Sequence, residues 1–132
     1  MTTAVRKYVV PLVTALAVAA PVLPASAASL YTSFSFSTTG GSKRLPDFSV
    51  GRDGTYYTQA DVAGTTCLAS YEWALRKNSF FSPDTTVQTG GGLQCDPAKT
   101  FPQKALKTGA HHYDFSFGRS GVSAWVKMWY VG

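Results

Sequence analysis

The stretch AHHYDFSFGRSGVSAWVKMWYV, Ala110–Val131, decides the fold. Tyr113, Phe115 and Phe117 alternate with His112, Asp114 and Ser116. Beyond Gly118-Arg119-Ser120-Gly121, the apolar set Val122, Ala124, Val126 and Met128, with Tyr130, alternates with Ser123, Trp125, Lys127 and Trp129. A period of two means strands with one face buried and one face wet. If the chain folds back at the glycine turn, Phe117 faces Val122, Phe115 faces Ala124 and Tyr113 faces Val126. All six then share one face, and a slip of one residue would mix Phe with Trp and Lys. The expectation is therefore a terminal hairpin. Its outer face would carry His112 and Asp114 across from Trp125 and Lys127, with Trp129 beyond.

Upstream, short strand patterns recur. Leu30, Phe34 and Phe36 share a face over Ser29–Ser37, opposite a row of serines. Phe48 and Val50 point inward from a short strand at Asp47–Gly51. Asp53-Gly54 carries the strongest hairpin signal and leads into Thr55–Thr58. Tyr56 and Tyr57 are adjacent, so they cannot both face inward. Over Thr65–Lys77 the set Cys67, Ala69, Tyr71, Trp73 and Leu75 fits a strand; Leu68, Tyr71 and Leu75 also fit a helical face. The aromatics and the lack of an N-cap favour the strand. Asn78–Pro83 reads as a loop carrying Phe80 and Phe81. Thr85–Thr89 reads as a strand, Gly90–Gly92 as a turn, and Leu93–Cys95 as its return. Asp96–Thr108 reads as an exposed loop, with Pro102 interrupting any short helix over Ala98–Leu106.

About eight short strands with frequent Gly, Thr and Asp turns indicate an all-β fold. The expected architecture is an antiparallel β-sandwich, jelly-roll or immunoglobulin-like, with one disulfide. The first residues have the form of a secretory leader. Arg6 and Lys7 precede an apolar run from Val9 to Leu23, and Ala25-Ser26-Ala27 forms a cleavage triplet. Prolines 11 and 21 and the shortness of the run weigh against a membrane anchor. The expected division is a signal peptide at 1–27 and a single sandwich domain at 28–132, secreted to the extracellular space, with no membrane span after cleavage.

The whole chain carries twelve basic and seven acidic residues. Two of the basic ones, Arg6 and Lys7, leave with the leader, so the balance is mildly basic. The remaining cations are scattered, without a basic stripe interleaved with aromatics, which argues against a nucleic-acid partner. Cys67 and Cys95 are the two cysteines, and in an oxidising compartment they are expected to pair. The loop closed is worth roughly 3 kcal/mol on the chain-entropy account.

Leu106-Lys107-Thr108-Gly109, followed by Tyr113-Asp114-Phe115, resembles a segment of secreted bacterial β-sandwich modules of the pre-peptidase C-terminal type. There a Leu-x-x-Gly turn leads into a strand of alternating aromatics. In that family the first aromatic usually stands two residues after the glycine; here that place is His111. The leader and the wide-spaced cysteine pair also resemble small exported actinobacterial proteins, some of them similar to accessory subunits of secreted toxin particles. The resemblance implies a binding role and no catalytic residues.

Catalytic signatures are lacking. His111-His112-x-Asp114 is the one cluster with metal or acid–base potential, but His112 and Asp114 lie on one strand face and His111 on the other. Two ligands make no metal site, and nothing places Glu72 or Asp61 beside them. There is no G-x-S-x-G elbow, no phosphate-binding glycine loop before a helix and no paired catalytic carboxylates. The reading is a non-enzymatic binding module without cofactor or metal. Its expected surface is Trp125, Lys127 and Trp129 with His112 and Asp114; the other reading of the indoles is that a second sheet or the Asp96–Thr108 loop covers them. The Ser29–Phe36 segment, which could pair with a partner's sheet edge, is the second candidate surface. The two indoles would lie about 13–14 Å apart, four residues at about 3.4 Å each. A protein partner ranks first and a glycan second. A cationic antimicrobial or toxin acting at cell envelopes, and an exported protease inhibitor using Asn78–Asp84 or Asp96–Thr108, are the alternatives.

Overall fold

The computed structural model describes residues 28–63, 67–119 and 121–132; the expected leader lies outside them. The described chain is all β. In order it forms β1 (Ser29–Thr38), β2 (Ser42–Arg44), β3 (Phe48–Val50), β4 (Gly54–Ala63) and β5 (Ser70–Lys77). There follow β6 (Thr85–Leu93), β7 (Lys99–Thr100), β8 (Lys104–Leu106), β9 (Gly109–Phe117) and β10 (Val122–Tyr130). They make two antiparallel sheets packed face to face. The front sheet runs β1-β10-β4, with β7 and β8 along the far edge of β4. The back sheet runs β9-β5-β6, with β2 and β3 along the outer edge of β9. Counting each interrupted pair as one strand gives two four-stranded layers. Successive strands alternate between layers except at the β5–β6 hairpin. That order is a jelly roll, one of the two sandwich types expected.

The terminal hairpin does not exist. β9 lies in the back sheet and β10 in the front. The turn's amides bond outward: Gly118 N donates to Ser70 O on β5 at 2.8 Å, and Gly121 N donates to Thr38 O on β1 at 2.9 Å. The glycine turn therefore carries the chain from one sheet to the other. Phe115 and Phe117 do face the same core as Val122, Ala124 and Val126, but from the opposite layer. Asp53-Gly54 is likewise a crossing, from β3 in the back to β4 in the front. Its carboxylate accepts from Thr108 N at 2.8 Å, tying together two turns at the same end.

Gly90–Gly92 is not a turn either; all three continue β6, paired with Trp73, Glu72 and Tyr71. The reason is space. A Cβ on Gly90 would stand 2.6 Å from the Trp73 indole, so the missing side chain admits the ring. Asp96–Thr108 contains β7 and β8, not a plain loop, both laid on β4. Between Thr65 and Lys77 the strand β5 begins at Ser70, and Tyr71, Trp73 and Leu75 are buried as the strand pattern requires.

The core is aromatic and spans both layers. Phe36 of the front sheet meets Phe115 of the back at 5.1 Å, Phe34 meets Phe48 at 5.9 Å, and Trp73 meets Phe101 edge-on at 5.0 Å. Such pairs add to the burial of their area. Cys67 and Cys95 form a disulfide across the open end of the β5–β6 hairpin, their Cα atoms 5.0 Å apart.

Candidate binding surface

β10 is the middle strand of the front sheet, so its outward side chains stand in cross-strand rows with β1 and β4. Trp129 lies between Leu30 and Tyr57, Lys127 between Ser33 and Gln59, and Trp125 between Ser35 and Asp61. Val126 and Met128, the alternate residues, are buried. The Trp125/Lys127/Trp129 row is therefore the outer face of the sheet, and its side chains are half-buried by their neighbours.

The rings on this face are held in place. Tyr57 stacks on Trp129 with centroids 6.2 Å apart and planes 16° apart. The Trp129 indole N–H donates to Gln59 Oε1 at 2.7 Å, and Gln59 Nε2 donates to the Thr100 hydroxyl at 2.9 Å. One amide thus ties the indole to β7. The Lys127 ammonium lies 4.7 Å from the centre of the Trp125 ring, within cation–π range. Next to Trp125 the sheet is paved with small side chains, Ser37, Ala63 and Ser123. They leave a shallow depression of ≈460 Å³ that Trp125 and Asp61 flank.

Leu30 joins this face, which corrects its expected place with Phe34 and Phe36. A bulge between Leu30 and Thr32 shifts the register, so Leu30 is 51% exposed and Tyr31 turns inward. Tyr31 packs edge-on against Tyr56 at 5.2 Å and donates to Ser49 O at 2.6 Å.

His112 and Asp114 are not part of the Trp face. They sit on β9, on the outward side of the back sheet, so the whole sandwich separates them from Trp125 and Lys127. His112 is buried there. Its Nδ1 is 2.5 Å from Asn78 Oδ1, and its Nε2 is 3.1 Å from Asp114 Oδ2. Hydrogen bonds from Asn78 and then Arg44 hold the Asp47 carboxyl below the usual carboxylate range. The cluster fastens the β2–β3 connection, β5 and β9 to one another. Among the described residues no group of three or more His, Cys, Asp or Glu is placed to hold a metal ion.

One feature escaped the sequence pattern. The outward side of the back sheet is shallow because Ser42, Ser116, Ala74 and Gly91 fill adjacent positions. The resulting concavity, ≈1000 Å³, has Glu72 and Asp114 on its walls. The β5–β6 loop holds Phe80 and Phe81 almost wholly in solvent. Comparison with family models, curated proteins and solved structures finds no match to this chain.

Proposed function

We propose that the protein is a secreted, non-enzymatic binding module whose front-sheet face docks a protein partner, as an adaptor or accessory subunit of an extracellular complex. The leader-like start and the Cys67–Cys95 disulfide support export. The observation that carries the docking face is the outward Trp125–Lys127–Trp129 row, with the Trp129 ring fixed by Gln59 and Tyr57. Aromatic rings immobilised before binding lose little entropy on complex formation, and Trp and Tyr are the residues that anchor interfaces. Leu30 extends the apolar strip to β1, and among the described residues β1 pairs with β10 alone, which leaves its other side for an added strand.

A glycan is the second reading, and the depression beside Trp125 favours it. An indole wall, the Asp61 carboxylate and the hydroxyls of Ser35, Ser37 and Ser123 are what a sugar ring would stack on and bond to. One experiment tests both. Trp125→Ala/Trp129→Ala is compared with the parent for capture of proteins from culture fluid and for retention on a glycan array. The variant should keep its near-ultraviolet dichroism and lose a protein that the parent retains. Loss of glycan retention alone moves the assignment to sugars. Unchanged capture of both kinds, by a folded variant, removes the face from function.

A further inference from the structure

The β5–β6 loop presents two aromatic rings to solvent on a fixed base. Phe80 is 91% exposed and Phe81 95%. Their rings meet edge-on, with centroids 4.7 Å apart and planes at 86°. Below them the loop is closed by its own polar groups. Ser79 N donates to Asp84 Oδ1 at 3.0 Å, and the Ser79 and Ser82 hydroxyls bond at 2.6 Å. Arg76 donates to Asp84 O at 2.9 Å, and Asn78 N donates to Ala110 O on β9 at 2.8 Å. A chain that buries Trp73, Phe115 and Tyr113 to 2% or less leaves these two rings outside. Exposed apolar side chains clustered at a braced tip mark a contact site.

The shape of the tip narrows the occupant. The backbone bends through Phe80–Ser82 and brings the two rings together as one wedge. A substrate-like inhibitor loop is extended and sends neighbouring side chains to opposite sides. The wedge has hydroxyls at its base, and the end of the sandwich that carries it also holds several cations. Lys77 ends β5 beside His111, and the neighbouring turns at this end of the sandwich hold Arg52 and Lys107. With Arg76 and Arg44 these make five cations against Asp47, Asp53 and Asp84. Arg44 pairs with Asp47 at 3.2 Å, the Lys107 ammonium lies 3.6 Å from Asp53, and the Arg52 guanidinium lies over the Tyr130 ring at 4.5 Å, so this end keeps an excess of positive charge. A short apolar tip with a polar collar and a cationic rim suits a bilayer boundary, where rings enter the acyl region and lysines stay with headgroup phosphates.

We infer that Phe80 and Phe81 insert into the surface of an anionic lipid bilayer, with Lys77, Lys107 and Arg52 set against its headgroups. Seated on this end, the molecule leaves its front-sheet face clear of the lipid.

The test is co-sedimentation of the mature chain with phosphatidylcholine vesicles and with vesicles of phosphatidylglycerol and phosphatidylcholine mixed equally. The parent should pellet with the anionic vesicles, and Phe80→Ser/Phe81→Ser should weaken that binding by roughly tenfold or more. Lys77→Gln/Lys107→Gln should weaken it severalfold on anionic vesicles only, and added salt should do the same to the parent. Both rings are outside the core, so the melting midpoint should not change; Phe81→Ser alone serves if the double variant loses its fold. Trp125→Ala/Trp129→Ala should bind vesicles as the parent does, which separates this outcome from that of the front-sheet face. A parent that pellets with neither vesicle overturns the inference. So does a folded serine variant that pellets as well as the parent, or one whose only loss is a captured protein.

Discussion

The phenol of Tyr113 on β9 and the hydroxyl of Thr58 on β4 meet at 2.7 Å in the middle of the core, one from each sheet. Both residues are about 1% exposed or less, and burial pushes the Tyr113 phenol far above its ordinary value of 10. Phe48 stacks on the ring at 5.7 Å and Trp73 meets its edge at the same distance, so the phenol has no room to turn towards water. Tyr113→Phe leaves the Thr58 hydroxyl buried and alone, which should cost about 1–3 kcal/mol. Thr58→Val should cost a similar amount. The double variant removes both polar groups, and its loss in urea denaturation should be clearly smaller than the sum.

The glycines of β6 should not be equivalent. A Cβ on Gly91 would run into the carbonyl oxygen of Tyr71, which is backbone and cannot step aside. One on Gly92 would meet the ends of the Asp96 and Lys99 side chains, at 2.7 and 3.1 Å, and these can swing away only by giving up the bonds from Leu93 N to Asp96 Oδ2 and from Lys99 Nζ to Gly91 O. Gly91→Ala should therefore cost about 1–3 kcal/mol as an overpacking substitution, and Gly92→Ala less. Gly90→Ala should disturb Trp73 directly and shift its fluorescence, because the new methyl would press on the indole 2.6 Å away.

Those glycines also show what sequence reading can reach. Alternation separated the faces: Tyr113, Phe115 and Val126 are buried, and Trp125, Lys127 and Trp129 stand on the opposite side of their strand from Val126. It did not assign neighbours, because a period of two says which side of a strand is dry and not which strand lies beside it. Gly118 and Gly121 suit a hairpin and a sheet-to-sheet crossing equally well. In a jelly roll most connections are crossings, so His112 and Asp114 ended up behind the sandwich and not beside Trp125. Gly90–Gly92 had the composition of a turn, and only the Trp73 ring packed against them explains why they form a strand. Leu30 changed sides through a bulge that leaves no mark in the residue pattern. Phe80 and Phe81 were legible as loop residues, but whether such rings fold back onto the core depends on the bonds of Ser79 and Asp84 beneath them.

The Cys67–Cys95 bridge should act mainly on the unfolded chain. It spans 28 residues and joins strands that are already zipped by the β5–β6 ladder, with Gln94 N bonded to Ala69 O at 2.8 Å. Neither sulfur belongs to the core cluster. Cys67→Ser/Cys95→Ser should keep the native near-ultraviolet spectrum and lose about 3 kcal/mol, the loop-closure entropy of the bridge. In a domain of this size that is a fall in Tm of roughly 10–20 °C. A variant that loses its tertiary spectrum at room temperature would show instead that the bridge holds the native end of the sandwich in place.

His111 should make stability depend on pH above the range of the carboxylates. It faces inward from β9, stacks near Phe48 at 6.1 Å, and donates from Nδ1 to Gly109 O at 2.9 Å. Its Nε2 is buried with no hydrogen-bond partner among the described residues, so a proton there would bring a charge with nothing to accept it. Loss of hydration on burial is the main cause that lowers its pKa below the ordinary 6.5; the Gly109 carbonyl opposes the shift, and the charges of Lys77 and His112 add to it. The unfolded chain therefore takes up a proton below about pH 6.5 that the folded chain refuses. Stability is full above that pH and falls as the pH drops towards the folded pKa, by at most about 1.4 kcal/mol per pH unit for one proton. Asp47 and Asp53 have pKa values lowered from 3.8, so their contributions begin to fade only below about pH 4. Urea midpoints measured between pH 7.5 and 4.5 should decline for the parent. For His111→Leu, which keeps the volume and removes the titrating ring, they should decline much less. Equal slopes in the two proteins would assign the dependence to another group.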